Sequence, residues 1–234
     1  MKIYCSGIGG IGLSAYASLQ HGAGHEVIGS DRTESPILEQ LRDEGVVVFQ
    51  EQDGSHVPSD ADIFVYSEAI PPDAPERMRA TALEIPQQSY PKALSKLTRG
   101  HRTIAVCGTH GKSSTTAMAA RVLLQAGCDP TVVVGTLTAD LGGRNVRAGH
   151  GTFFLLEACE YRKVFLAFSP EIIILTTCDG DHFDAYGSLT EYQDAFIAFL
   201  QKLPSHGKVI THLADPHCRA VVERSGAPVV DADR

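Results

Sequence analysis

The stretch that decides the fold is a glycine-rich hexapeptide near the start of the chain, Gly7-Ile8-Gly9-Gly10-Ile11-Gly12. It follows the short apolar run Lys2–Cys5 and precedes a helical pattern that continues to about Ala23. Glycines at a strand-to-helix turn let the backbone approach a pyrophosphate closely, and the positive N-terminus of the helix attracts that anion. Asp31 follows about twenty residues later, where a carboxylate can bind a ribose hydroxyl. The pattern predicts nucleotide binding without distinguishing NAD from a UDP-sugar, and a turn that only packs helix on sheet is the alternative.

Strands and helices alternate along the rest of the chain. The predicted strands are Lys2–Cys5, Glu26–Ser30, Val46–Phe49, Ile63–Ser67, Thr103–Cys107, Thr131–Val134, Phe153–Glu157, Ile172–Thr176, Lys208–Thr211 and a short one at Val229–Val230. The predicted helices are Ile11–Ala23, Pro36–Gly45, Pro75–Leu83, Tyr90–Leu97, Ser113–Ala126, Leu189–Leu203 and Asp215–Gly226. Such alternation is typical of parallel sheets with helices on both faces. A polar, basic stretch at Thr98–Arg102 separates two cycles, so we predict a Rossmann-like domain at residues 1–98 and a second α/β domain at residues 99–234.

The composition is that of an ordinary globular protein. Apolar residues make up 43% of the 234 residues, which is enough for a buried core. The net charge of −8 argues against a broad nucleic-acid-binding face, and no run of about 18 apolar residues suggests a membrane-spanning helix. The six cysteines form no C-x-x-C pair, so we expect reduced thiols in a cytoplasmic protein. A secretory signal is the weaker alternative, because Gly7–Gly12 interrupts the apolar helix that a signal needs.

A second glycine-rich loop reads Gly108-Thr109-His110-Gly111-Lys112-Ser113-Ser114 and lies between a predicted strand and a predicted helix. It departs from the usual P-loop because Val106 stands where the first glycine is expected and Gly108 supplies the turn. In such a loop backbone N–H groups bind phosphate, a lysine neutralises the outer phosphates and a hydroxyl binds Mg²⁺. We therefore predict a P-loop-type second domain. We also expect Lys112 to project into the site, so that Lys112→Ala removes phosphate binding and leaves the fold intact.

Acidic residues and one histidine follow two of the predicted strands of the second domain. They are Glu157, Glu160 and the string Asp179-Gly180-Asp181-His182-Phe183-Asp184. Because the carboxyl ends of parallel strands share one edge of a sheet, these groups should converge beside the lysine loop. Mg²⁺ prefers hard oxygen ligands, which Ser113 and Glu157 can supply. Turn formation and helix capping are an equal alternative for Asp181 and Asp184.

Together these motifs resemble the Mur ligases, the ATP-dependent amide-forming enzymes of peptidoglycan synthesis. Within that family they are most similar to the branch that adds L-alanine. The matching segments run in the family's order over nearly the whole chain: Gly7–Gly12, Gly29–Asp31, Tyr66–Ile70, Gly108–Thr115, Asp129–Thr131, Glu157–Arg162 and Asp181–Tyr186. Three pairs depart from the family pattern, namely Ser113-Ser114 for Thr-Thr, Thr177-Cys178 for Asn and an aliphatic residue, and Gly135-Thr136 for Gly-Gly.

The resemblance implies a three-domain enzyme. The first domain would hold the UDP part of UDP-N-acetylmuramate on Gly7–Gly12, Ser30 and Asp31. The central domain would hold ATP on Gly108–Ser114, with Thr109 and His110 lining the loop. The third domain would follow residue 234, and the central domain would be cut short at the same point.

The resemblance also implies a reaction and the residues that carry it. ATP would phosphorylate the carboxylate of UDP-N-acetylmuramate, and the amine of L-alanine would attack the acyl phosphate to form an amide. Lys112, Glu157 and His182 would be the catalytic residues. Ser113 and Glu157 would hold one Mg²⁺, and His182 would hold a second near the acyl phosphate.

Three other functions remain open from the sequence. A recycling ligase that joins a whole peptide to the same nucleotide sugar would share both glycine loops. A nucleotide-binding fragment without catalysis would bind the nucleotide sugar and form no amide. An NAD-dependent oxidoreductase would use Gly7–Gly12 and Asp31 but would leave the Lys112 loop and the Asp181–Asp184 cluster without a role. The sequence predicts small-molecule substrates and does not determine the oligomeric state.

Overall fold

The structure of the chain is a computed structural model, and it describes residues 1–181 and 185–233. The chain divides into two compact units, Met1–Leu97 and Thr98–Arg234, and each contains its own sheet. Strands alternate with helices in both units, and parallel pairing dominates both sheets, so the predicted α/β class is confirmed. Within the described ranges, every helix is too short or too polar to cross a bilayer.

The first unit is a doubly wound parallel sheet. Its elements are β1 (Lys2–Ser6), α1 (Ile11–Gly22), β2 (Glu26–Ser30), α2 (Pro36–Asp43), β3 (Val47–Phe49), β4 (Ile63–Tyr66), α3 (Pro75–Ala82), β5 (Gln87–Ser89) and α4 (Tyr90–Leu97). The strands pair in parallel in the order β3-β2-β1-β4-β5. The chain moves outward from β1 in both directions, which makes the carboxyl ends of β1 and β4 a topological switch point. Ligands of open α/β sheets bind in the crevice at such a point.

The central strands of this sheet are visible in the sequence, whereas the edge strand β5 is not. Ile3, Tyr4 and Cys5 of β1 are almost completely buried, because helices cover both faces of a central parallel strand. Such a strand is a continuous apolar run, which is the signal used above. The edge strand β5 consists of Gln87, Gln88 and Ser89 and was not predicted, since nothing in its composition favours a strand.

The second unit contains a larger mixed sheet. Its elements are β6 (Arg102–Cys107), α5 (Lys112–Gln125), β7 (Thr131–Thr138), β8 (Arg144–Arg147), β9 (Phe153–Glu157), β10 (Ile172–Leu175), α6 (Leu189–Leu200), β11 (Lys208–Thr211), α7 (Pro216–Ser225) and β12 (Val229–Asp231), with 3-10 turns at Ala139–Leu141 and Tyr161–Ala167. The spatial order is β12-β11-β10-β6-β9-β7-β8. The central strand β6 is paired with β9 on one side and β10 on the other, both in parallel.

The sheet departs from an all-parallel arrangement at β8. This strand pairs antiparallel with β7 at the edge of the sheet, with a register shift between Val133 and Thr138. Its sequence, Arg144-Asn145-Val146-Arg147, carries charges at both ends and one apolar residue, so no strand was predicted there. An edge strand with one face exposed needs little apolar content, which is why the sequence signal is weak.

The register of β6 with its neighbours sets the site. Val106 lies opposite Glu157 of β9, and Cys107 lies opposite Leu175 of β10. The three strands therefore end at the same level, and the segments that follow them share one edge of the sheet. The loop Gly108–Gly111 comes from the middle strand of the three.

Candidate nucleotide and metal sites

The first glycine loop closes against the end of β2. The N–H groups of Gly7 and Ile8 both donate to the Ser30 carbonyl, at 2.8 and 3.0 Å, and Gly7 has a φ of 78°. The Ser30 side chain is fully buried, and its hydroxyl accepts a hydrogen bond from Gln52 Nε2 at 3.2 Å. Ser30 thus holds the loop, whereas contact of its side chain with a nucleotide stays a prediction.

Asp31 is bound into the same loop. Its Oδ2 accepts from the Gly9 N–H at 2.9 Å, and its Oδ1 accepts from the Thr33 N–H at 3.1 Å. A side chain at position 9 would place its Cβ 2.9 Å from that carboxylate oxygen, so the Asp31 carboxylate would have to shift away from the loop. The carboxylate therefore fixes the middle of the loop, and the ribose contact expected from its spacing stays a prediction.

The remaining residues of the hexapeptide serve packing. Ile8 is completely buried. Gly10 caps α1 with extended φ/ψ angles, and Ile11 is the first residue of the helix. At Gly12 a Cβ would lie 2.4 Å from Tyr90 Cε2, so this glycine allows Tyr90 of α4 to pack against α1.

A cavity of about 320 Å³ lies at the same sheet edge and was not found by sequence reasoning. Its lining includes Ser6 at the end of β1, Arg32 and Gln52, and the first residues of α3. Glu76 of α3 is 1% exposed and accepts hydrogen bonds from Tyr4 Oη at 2.6 Å and Ser6 Oγ at 2.5 Å. Burial, and then the charge of Glu76, raise the pKa of Tyr4 above its usual value, so the hydroxyl remains a donor. A lone Glu after Pro75 carries no sequence signal that would reveal this partnership.

The second glycine loop makes a tight turn between β6 and α5. Gly108 has a φ of 141°, and Gly111, which caps α5, has a φ of 78°. A Cβ at Gly108 would lie 2.1 Å from Thr176 Oγ1 and 2.8 Å from Thr177 N. Lys112 is the first residue of the helix, followed by Ser113 and Ser114. The first N–H groups of a helix lack acceptors within it, and together with the helix dipole they attract an anion.

Thr176 and Thr177, which follow β10, support this loop. The N–H groups of Thr109 and His110 donate to Thr177, at 2.9 Å to its carbonyl and 3.0 Å to its hydroxyl. The Thr176 hydroxyl donates to the His110 carbonyl at 2.6 Å. Two of the loop amides expected to bind phosphate are therefore used internally. The departure from the family pattern at Thr177 places a hydroxyl where it holds the loop.

Thr109 faces the interior of the unit. The residue is 4% exposed, and its hydroxyl shares a 3.0 Å hydrogen bond with the hydroxyl of Tyr192, a fully buried residue of α6. Burial raises the pKa of Tyr192 above its usual value, although the bond to Thr109 acts in the opposite direction. The neighbouring Asp179 has a lowered pKa: burial opposes the shift, and hydrogen bonds from its own backbone and from Thr109 outweigh it. His110, by contrast, is exposed.

Lys112 does not project freely into the site, and this corrects the expectation stated above. Its Nζ donates to the carbonyls of Gly108 and Thr109, at 2.7 and 3.1 Å, and to Glu160 Oε1 at 3.0 Å. The Lys112 side chain is 14% exposed and that of Glu160 is completely buried. Lys112→Ala would leave a buried carboxylate without its cation, so the substitution should destabilise the fold as well as remove phosphate binding.

Glu157 lies at the end of β9, beside the phosphate loop. Its Oε2 accepts from the Gly135 N–H at 2.7 Å, and a Cβ at position 135 would lie 2.5 Å from Oε1. A side chain at position 135 would therefore displace the Glu157 carboxylate, whereas the next residue, Thr136, is exposed. The pair Gly135-Thr136 departs from the family pattern, but the residue of the pair that contacts Glu157 is still glycine.

Of the predicted metal ligands, the structure describes Ser113 and Glu157 but not His182. Glu157 and Ser113 supply a carboxylate and a hydroxyl at one sheet edge, and these hard oxygens fit Mg²⁺. Glu160, which the sequence grouped with them, is bound to Lys112 instead. His182, Phe183 and Asp184 lie outside the described residues. Within residues 1–181 and 185–233, no three His, Cys, Asp or Glu side chains converge closely enough to form a metal site by themselves.

Two family models match the chain over almost its whole length. The model described as "Mur ligase family, catalytic domain" matches residues 2–102, and the model described as "Mur ligase middle domain" matches residues 106–233. A UDP-N-acetylmuramate–L-alanine ligase of Clostridium kluyveri is 38% identical over 230 residues, which cover 98% of this chain and 50% of that protein. The chain thus spans about half the length of the curated relatives it matches.

Solved structures agree with these matches. A UDP-N-acetylmuramate-alanine ligase from Thermotoga maritima is 33% identical with a TM-score of 0.83, covering 94% of this chain and 51% of that one. A UDP-N-acetylmuramate:L-alanyl-gamma-D-glutamyl-meso-diaminopimelate ligase from Neisseria meningitides is 26% identical with a TM-score of 0.90, covering 98% of this chain and 77% of that one. The two glycine loops, Gly7–Gly12 and Gly108–Ser114, lie within the regions that the two family models match. The chain belongs to the Mur ligase family.

Proposed function

We propose that these residues form the nucleotide-sugar-binding and ATP-binding parts of a ligase that joins L-alanine to the carboxylate of UDP-N-acetylmuramate. The observation that carries the proposal is the Gly108–Ser114 segment, in which the left-handed Gly111 caps α5 and Lys112 is the first residue of the helix. The L-alanine branch is supported by the names of the curated relatives, which are 35–38% identical to this chain. The six free thiols are consistent with a cytoplasmic location.

The first unit is the proposed binding site for the nucleotide sugar. The Gly7–Gly12 loop precedes the N-terminus of α1, so its backbone would face the pyrophosphate. Asp31 would contact the ribose, and the cavity beside Ser6, Arg32 and Glu76 would take the remainder of the nucleotide. Polar groups within a cavity of this size can fix the orientation of a small ligand.

The second unit is the proposed site of phosphoryl transfer. A carboxylate repels ATP and is a poor electrophile, so positive charge is needed to bring the two together. Lys112 and the N-terminus of α5 supply that charge, and Ser113 and Glu157 would hold Mg²⁺, which neutralises phosphate charge when bound. The acyl phosphate has a good leaving group, and the amine of L-alanine would displace phosphate from it.

A ligase that adds a peptide in place of L-alanine is the second candidate. It is favoured by one observation: the TM-score is 0.90 with the peptide-adding enzyme and 0.83 with the alanine-adding one. A product assay on a longer protein that contains these residues would decide between them. Amide formation with L-alanine and none with a tripeptide is the result expected from the proposal, and the reverse result would replace it.

The proposal is tested by crossing two substitutions with two ligands. Binding of ATP with Mg²⁺ and of UDP-N-acetylmuramate is measured by isothermal titration calorimetry on Lys112→Met and Asp31→Ala. Lys112→Met should weaken ATP binding by at least about tenfold and leave binding of the nucleotide sugar unchanged. Asp31→Ala should weaken binding of the nucleotide sugar and leave ATP binding unchanged. Circular dichroism checks that both variants are folded. Unchanged ATP affinity in a folded Lys112→Met variant would contradict the proposal.

A further inference from the structure

Neither motif spacing nor the proposed reaction accounts for the Lys112–Glu160 ion pair of the phosphate loop. An ammonium group has three N–H donors, and Lys112 Nζ donates to three acceptors: the Gly108 carbonyl, the Thr109 carbonyl and Glu160 Oε1. The internal contacts therefore match its full donor capacity. A phosphate that binds Lys112 must replace at least one of them.

Of the three acceptors only Glu160 carries a full charge, so it is the strongest competitor of a phosphate. The pair is shielded from solvent, since the side chains of Glu160 and Lys112 are 0% and 14% exposed. Attraction between charges is several times stronger in such surroundings than in water, and salt screens it less. The carboxylate thus holds the ammonium within the loop and lowers the positive charge that the loop presents.

The backbone around Glu160 is held in place by the segment that follows it. The Tyr186 hydroxyl and the Lys163 N–H both donate to the Glu160 carbonyl. Arg162 and Lys163 adopt left-handed φ angles of 50° and 61°, which are unfavourable for residues other than glycine. Burial raises the pKa of Tyr186 to about 12, so its hydroxyl stays protonated as a donor. These contacts keep the main chain at residue 160 in the position from which its side chain reaches Lys112.

We propose that Glu160 is a positioning residue that holds the Lys112 ammonium against the phosphate loop and competes with phosphate for it. The carboxylate aligns the lysine before the nucleotide binds, and it reduces affinity for phosphate groups that lack the rest of the ligand. This inference rests on the proposal that the Gly108–Ser114 loop binds the phosphates of ATP. It assigns to Glu160 a role distinct from metal binding.

The test uses inorganic tripolyphosphate, which carries phosphate charge without the nucleoside. Its Kd for the 234-residue chain is measured by isothermal titration calorimetry without added Mg²⁺. Glu160→Gln keeps the shape of the side chain and one oxygen acceptor but removes the charge, so the Kd should fall by about fivefold or more. Asp194→Asn is the matched control. It removes one negative charge from an exposed ion pair with Arg224 in the same unit and should leave the Kd unchanged.

The same measurement in the Lys112→Met background separates competition for Lys112 from a general structural effect. Glu160→Gln should tighten binding in the presence of Lys112 and have no such effect when combined with Lys112→Met. An unchanged Kd in Glu160→Gln, or equal tightening in the Lys112→Met background, would overturn the inference while leaving the loop's proposed function intact. Failure of the unaltered chain to bind tripolyphosphate would overturn both.

Stability supplies an independent readout if Glu160→Gln is too unstable for calorimetry. The single variant leaves a buried ammonium without its counter-charge, whereas the double variant Lys112→Met/Glu160→Gln removes both charges. The double variant should therefore fold with a higher thermal midpoint than Glu160→Gln. A double variant that is no more stable than Glu160→Gln would show that the two charges are not partners.

Discussion

At the scale of single residues, the phosphate loop depends on a close approach between two segments. Gly108 lies against Thr176 and Thr177, whose backbone and hydroxyl groups hold the loop. A substituent at this glycine would contact the backbone N of Thr177 at 2.8 Å, and backbone atoms cannot move aside as the end of a flexible side chain can. The φ of 141° adds a second obstacle, because side chains other than hydrogen disfavour it.

We expect Gly108→Ala to lower the free energy of unfolding by about 2–4 kcal/mol, since backbone strain and overpacking act together. ATP binding should weaken as well, because the loop must shift. Urea unfolding and calorimetry measure the two effects. Gly22→Ala is the control, since no atom lies within 4 Å of its Cβ and the residue is helical. A loss in Gly108→Ala no larger than in the control would show that the loop tolerates a methyl group.

At the scale of elements, helix α7 supports the segment that holds the phosphate loop. Its N-cap Asp215 accepts a hydrogen bond from the Cys218 N–H at 2.7 Å, and the thiol of Cys218 lies 3.6 Å from the Thr176 carbonyl. Cys218 is fully buried. The start of α7 therefore holds Cys218 in place, and Cys218 contacts Thr176, which supports the phosphate loop. Helix α2 offers a comparison, because its cap, Ser35, accepts from Leu38 at the longer distance of 3.4 Å.

The two caps should differ in strength, because hydrogen bonds weaken with distance and a carboxylate complements the helix dipole. We expect Asp215→Ala to lower the free energy of unfolding by about 1–2 kcal/mol and Ser35→Ala by about 0.5 kcal/mol. Thermal or urea unfolding measures both. Asp215→Asn keeps an oxygen acceptor and should recover most of the loss. Equal losses in the two alanine variants would contradict this ranking of the caps.

At the scale of the whole molecule, each unit has the means to fold around its own sheet. The first unit has a buried cluster that includes Tyr4, Phe64 and Ala80. The second has a separate cluster that includes Val106, Val132 and Leu155. Each unit also contains one of the two glycine loops. Nucleotide-sugar binding should therefore be a property of the first unit alone.

We expect residues 1–97, expressed separately, to fold and to bind UDP with a Kd within about threefold of that of the whole chain. Circular dichroism measures folding, and calorimetry measures binding. Asp31→Ala in the same segment is the control and should weaken UDP binding. A folded segment that does not bind UDP would show that the site lies elsewhere in the chain.

The glycine loops and the central strands were predictable because local chemistry produces them. Apolar runs such as Ile172–Leu175 reveal strands buried on both faces, and the predicted bounds agree with the observed ones to within a few residues. Phosphate loops are visible because only glycine allows the required turns. The edge strands β5 and β8 were missed, since pairing with a neighbour, and not apolar content, makes them strands.

The sequence by itself determined the α/β class, the two glycine loops, their order and the family to which the chain belongs. Only the tertiary structure decided which side chains meet across the loops: Glu160 with Lys112, Tyr192 with Thr109, and Glu76 with Tyr4. Residues that lie 48, 83 and 72 positions apart in these pairs meet because strand order and helix packing bring them together. A motif depends on short-range backbone geometry, whereas the partner of a buried charge or hydroxyl depends on which elements become neighbours when the chain folds.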